Sequence, residues 1–156
     1  MEVQLHGVPK KFSDVKPGGF FRSHKSKDFG ICVSTNGKDR AAVLLKERAT
    51  PQFHTKVPPE VVYFSQAIVR IADFEFSTDE NQYGTLAVAD DGEAYIQVPD
   101  EGASYQTFNL NTGLRTKLPT NVSPVFFSRW NVGILIDGKF NEIFSWPAKH
   151  ESNRAL

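Results

Sequence analysis

The chain is poor in the residues from which cross-linked and reactive sites are built. Its 156 residues include one cysteine and four histidines. A lone Cys32 cannot close an intrachain disulfide, so nothing in the sequence reports an oxidising compartment. His6, His24, His54 and His150 have no partner at the short spacings that align two metal ligands on one strand or helix face, and no metal site is expected. The nucleophile-elbow, phosphate-loop and dinucleotide-loop patterns are missing as well. Acyl transfer, nucleotide hydrolysis and dinucleotide binding therefore lack their usual sequence support, and neither a catalytic residue nor a cofactor is assigned. No apolar run approaches the roughly 18 residues of a membrane span, and the opening MEVQLHGVPKKF lacks the apolar core of a secretory signal. A cytoplasmic protein with no membrane partner is the expectation.

Net charge is also missing, because 18 Lys/Arg balance 18 Asp/Glu, but the balance conceals a sorting along the chain. Residues 1–56 carry eleven basic against five acidic side chains, residues 57–104 one against ten, and residues 105–156 six against three. Such blocks neutralise each other across a fold or a subunit contact, or face a charged partner.

What the chain has in quantity is strand-forming residues. Thirteen Phe, four Tyr and many Val, Ile and Thr favour β structure, and long runs of good helix formers are absent. Asn36-Gly37, Asp91-Gly92, Asn111-Thr112-Gly113 and Asp137-Gly138 supply the positive φ angles of hairpin turns. They predict hairpins over about 29–45, 85–98, 105–118 and 131–146. Pro17-Gly18-Gly19 precedes an aromatic strand at Phe20-Phe21. The three prolines of 50–60 mark a linker, and Val61 to Ile71 reads as strand rather than helix. The fold class is all-β: antiparallel meander hairpins packed as a two-sheet sandwich or two small barrels. The organisation expected is a basic N-terminal subdomain over 1–56 and a C-terminal β-meander subdomain over 57–156, with a single domain as the alternative. The segment Tyr105 to Pro119 resembles part of a propeller blade of the Kelch kind over fifteen residues. It lacks the paired glycines and tryptophan of a full repeat, and no family is assigned from it.

Hairpin registers turn these elements into candidate surfaces. With a two-residue turn at Asp137-Gly138, Trp130, Val132, Ile134 and Ile136 share a core face. Arg129, Asn131, Gly133 and Leu135 then lie across from Trp146, Phe144, Glu142 and Phe140. Rings beside an arginine are the residue mix of interface hot spots, so Arg129, Phe140, Phe144 and Trp146 are the candidate partner-binding residues. A two-residue turn at Asn36-Gly37 sets Cys32 among Ala41, Val43 and Leu45, where a thiol is an inert small hydrophobe. Lys10, Lys11, Lys16, Arg22, His24, Lys25 and Lys27 interleave with Phe12, Phe20 and Phe21, the ingredients of a single-strand nucleic-acid platform. In the acidic stretch Asp73 to Asn81, Asp73 and Glu75 alternate with Phe74 and Phe76, but the ligand ladder of a calcium loop is missing, which leaves a solvated acidic face. The function expected is a non-enzymatic protein-interaction or assembly module that self-associates or binds a protein partner, of the kind carried by bacterial or phage accessory proteins. The alternative is a nucleic-acid-binding domain using Lys10, Lys11, Arg22, Lys25 and Lys27.

Overall fold

A computed structural model describes residue 1 and residues 6–46, 50–71, 83–100, 104–119 and 124–147. The acidic stretch Asp73 to Asn81 lies outside the described residues. Among the described residues the chain is all-β, with one short 3-10 turn at Phe12–Asp14 and no helix long and apolar enough to cross a membrane.

Among the described residues there are three antiparallel sheets, and none of them closes on itself. The first has six strands: β1 (Val8–Lys11), β2 (Phe20–Ser23), β3 (Phe29–Val33), β4 (Ala41–Leu45), β5 (Gln52–His54) and β6 (Glu60–Phe64), in spatial order β1-β6-β2-β3-β4-β5. The proline-rich stretch is thus not merely a linker, because residues 52–54 pair with β4. After it the chain returns as β6, between β1 and β2, so this sheet extends past residue 56. The second sheet has the order β11-β10-β9-β8-β12, from β8 (Leu86–Val88), β9 (Ala94–Pro99), β10 (Tyr105–Asn109), β11 (Arg115–Thr116) and β12 (Val125–Phe127). In the third, β13 (Trp130–Ile136) lies between β14 (Lys139–Trp146) and β7 (Ile68–Arg70). Val61 to Ile71 accordingly contains two strands and no helix.

One face of the six-stranded sheet packs against the other two sheets. Phe20, Ile31 and Val43 from the first, Leu86, Ile96 and Phe108 from the second, and Trp130, Val132 and Phe144 from the third form one buried cluster. The opposite face is covered by its own N-terminal segment: Phe12 and Val15 join Phe21, Cys32, Ala42 and Val61. A sheet apolar on both faces needs near-continuous apolar strands, which is why β3 and β4 read FGICV and AAVLL without alternation. The architecture is a sandwich of sheets, not a pair of barrels.

The Asn36-Gly37 turn departs from its expected form. Val33 pairs with Ala41, leaving a loop of residues 34–40 in which Asn36 acts as a local organiser: its Oδ1 accepts from the backbone N–H groups of Lys38 and Asp39, both at 2.8 Å. This is an Asx turn inside a longer loop. The register moves by one residue, so Cys32 faces Ala42 and not Ala41, Val43 and Leu45. Its burial is as expected, with no exposed surface, and desolvation pushes its pKa up to about 11, the nearby Arg40 opposing only in part. Native protein should therefore label slowly with a thiol reagent at pH 8 and quickly in denaturant. Because the folded pKa lies above the usual value of 9.0, the unfolded chain loses this proton first. The Cys32 contribution to stability is full below pH 9 and should decline between pH 9 and about 11, a decline that Cys32→Ala removes in urea titrations.

Candidate protein-contact surface

The three-stranded sheet shows one face to the core and one outward, and a bulge decides which aromatics lie where. The Asp137-Gly138 turn is the expected two-residue loop: both residues have positive φ, 51° and 76°, and Ile136 pairs with Lys139. Leu135 pairs with Phe140, Ile134 with Asn141 and Gly133 with Glu142, also as expected. The register then shifts. Val132 pairs with Phe144 and Trp130 with Trp146, which leaves Ile143 as the extra residue of a β-bulge.

One inserted residue inverts the facing of everything beyond it. Phe144 and Trp146 join Trp130 and Val132 inside, where the Trp130 and Trp146 rings stack at 6.2 Å and the Trp130 indole N–H donates to the Gly84 carbonyl at 2.8 Å. The expected contact face of Phe140, Phe144 and Trp146 does not exist as one face, because the latter two are buried in the chain's own core. Arg129 precedes β13 at an exposed position.

Phe140 remains outward, and β7 completes its surroundings. Arg70 pairs with Asn131 and Ile68 with Gly133, which puts both on the outer face. The Arg70 guanidinium carbon lies 4.3 Å from the Phe140 ring centroid. That ring leans across Gly133, where any Cβ would meet it at 2.5 Å. A cation over a ring at an exposed site contributes about 0.5–1 kcal/mol. Leu135 and Ile68 flank it at 53% and 41% exposure. The Asn131 amide donates to a Glu142 carboxylate oxygen at 3.0 Å, so the face carries charges of both signs around an apolar centre.

The basic N-terminal residues form a different picture from the expected platform. Phe12, Phe20 and Phe21 are buried and cannot stack on bases. The Lys10 ammonium lies 4.8 Å from the Tyr63 ring centroid and the Arg22 guanidinium 4.9 Å from that of Phe29. Lys10 pairs with Val61 and Arg22 with Val62, so alternation sends the two to opposite faces of the sheet. Lys11 ends the edge strand β1 opposite Glu60, while Lys25 and Lys27 sit in the β2–β3 turn, Lys27 at a φ of 65° with its carbonyl accepting from the Arg22 Nε at 2.9 Å. Arg22 and Lys27 share a groove with Phe29 and Lys46, but Glu142 also lines it and Lys10, Lys11 and Lys25 do not. Glu93, in the Asp91-Gly92 turn, accepts from the side-chain amides of Asn109 and Asn111 at 2.7 and 3.3 Å and ties two hairpin ends together.

Sequence reasoning missed Arg70 and Ile68. Their place depends on the pairing of β7 with β13, which is remote in sequence and joined by no turn that could announce it. Comparison of the chain with protein-family models, curated proteins and solved structures finds no match.

Proposed function

We propose that the protein is a non-enzymatic assembly module that associates with a second copy of itself through the outer face of the three-stranded sheet. The observation that carries the reading is Arg70 stacked on Phe140 between exposed Leu135 and Ile68. Arginine and aromatic side chains at the centre of an apolar patch dominate the energetics of protein contacts. A face with both an arginine and a glutamate can meet its own copy about a two-fold axis, as the commonest oligomers require.

Light scattering across a range of protein concentrations tests this. The parent should exceed the protomer mass, and Leu135→Lys should weaken association by about tenfold or more, as loss of a single hot-spot residue does. Leu135 is exposed, so the variant should keep the parent's unfolding midpoint. A parent that is monomeric at all concentrations, or a variant that assembles as the parent does, rejects the reading. Association of oppositely charged segments should also weaken as salt rises from 0.1 M to 1 M, since the Debye length falls from about 10 Å to about 3 Å. An unchanged mass would mean that the sorted charges are neutralised within each chain.

A further inference from the structure

We propose that the outer edge of β14 takes up an extended, acidic segment of a partner protein as a fourth strand of the three-stranded sheet. β14 ends the order β14-β13-β7, so among the described residues no strand pairs with that edge. It is also the longest strand among them, and no proline blunts it, whereas the edge strand β1 carries Pro9, Lys10 and Lys11. A groove of about 620 Å³ runs along β14. Its consecutive residues Glu142, Ile143, Phe144 and Ser145 line the groove, and β13 contributes none. Glu142 faces outward and Phe144 inward, so a groove that touches them all lies against the edge of the strand and not on either face. Four residues of strand span about 13 Å, which fits an added strand of about the same length.

The opposite wall fixes the chemistry of the occupant. Arg22 pairs with Phe29 and Phe29 with Leu45, a cross-strand row at the rim of the six-stranded sheet, and all three border the groove. The Phe144 ring lies 5.3 Å from that of Phe29, yet Phe29 is only half-buried, because the three-stranded sheet stops at β14. One more strand beside β14 would cover the row, as facing sheets of a sandwich do. The Arg22 guanidinium is held from two sides: its Nε donates to the Lys27 carbonyl at 2.9 Å, and its carbon lies 4.9 Å from the Phe29 ring centroid. This leaves its terminal nitrogens as an oriented fork for a carboxylate. Lys27 and Lys46 add two ammonium groups to the lining. Asp28 and Glu142 oppose them, but the Glu142 carboxylate accepts from the Asn131 amide. Cations in excess beside an aromatic ring select a segment with a carboxylate next to apolar side chains, while the main-chain ladder supplies affinity for any extended chain. Glu142 borders both this groove and the outer sheet face, but Leu135 and Arg70 do not line the groove, so the two contacts can be separated.

Fluorescence anisotropy with a fluorescein-labelled hexapeptide tests this, its two central aspartates flanked on each side by two valines so that either face of the extended strand carries an acid between apolar residues. Saturable binding at one peptide per chain, with a Kd below about 1 mM, is expected. Arg22→Gln should lower the affinity by about tenfold or more, as loss of a charge-assisted hydrogen bond does, whereas Leu135→Lys should leave it unchanged. The same peptide methylated on every backbone nitrogen cannot donate to a strand edge and should not bind. Amide resonances of Ile143 to Ser145 in the parent should shift on titration while that of Leu135 stays still, a readout that requires no variant to fold. Absence of saturable binding overturns the inference, and a chain that self-associates without taking up the peptide overturns it alone. Equal binding of the methylated peptide, or by Arg22→Gln, overturns it too. Tighter binding of a labelled oligothymidylate than of the peptide, lost in Arg22→Gln, would assign the groove to nucleic acid instead.

Discussion

Replacing Trp146 by serine should cost about 3–5 kcal/mol of stability, the usual range for truncating a large buried aromatic, and should leave association per folded chain unaltered. The ring is 8% exposed and stacks on Trp130, which is itself in contact with Phe144. On its other side lies Gly84, where a Cβ would come within 2.5 Å of the indole. Little can move in to fill the space, because Gly84 is held by its own hydrogen bonds to Gln97 and Trp130. The cavity term is therefore added to the lost transfer free energy. Urea denaturation measures the loss, and light scattering under folding conditions measures association. A variant with unchanged stability but a smaller assembled mass would show that the ring lies in a subunit contact, as an unbulged hairpin requires.

That contrast between bulged and unbulged hairpins shows where the sequence was readable. Asp137-Gly138 has one dominant use, a primed two-residue turn, so the pairing of its first four residue pairs followed directly. No local residue marks Ile143 as the bulge. Its position is decided by tertiary packing: Phe144 and Trp146 gain burial against Phe20 and Trp130 only if one residue is skipped. Asn36-Gly37 misled for a related reason, since an asparagine can satisfy its turn with its own side chain as readily as with the backbone of a primed turn. Burial of Cys32 survived the register error because both faces of its sheet are covered. The candidate surface was legible in the facing of Asn131, Gly133, Leu135, Phe140 and Glu142. Arg70 and Ile68 arrive through β7, and the placement of β6 between β1 and β2 likewise belongs to long-range pairing that composition and turns do not encode.

Gly113→Ala should destabilise the protein by at least about 2–3 kcal/mol, more than the same change at Gly92. Each of these glycines has a left-handed backbone, with φ of 67° and 84°, which costs an L-residue roughly 1–2 kcal/mol. Their surroundings differ. A Cβ on Gly92 would meet nothing within 4 Å, whereas one on Gly113 would collide with the backbone of Pro17 and Gly18. Backbone cannot swing aside as a flexible side chain can, and this backbone is pinned: the Gly18 N–H donates to the Cys32 carbonyl at 2.7 Å and the Ser34 N–H donates to the Gly113 carbonyl at 2.9 Å. The Arg115 N–H returns a bond to the Ser34 carbonyl at 3.0 Å, so Gly113 lies in the seam that joins the β10–β11 loop to the end of β3. A methyl group there wedges apart two sheets of the sandwich, and the cost is the strain plus a share of those hydrogen bonds, each contributing about 0.5–1.5 kcal/mol. Parallel urea titrations of the two variants separate the terms: Gly92→Ala reports the left-handed backbone alone, and the excess in Gly113→Ala reports the seam. Equal losses in the two variants would mean that the sheets do not meet at this glycine.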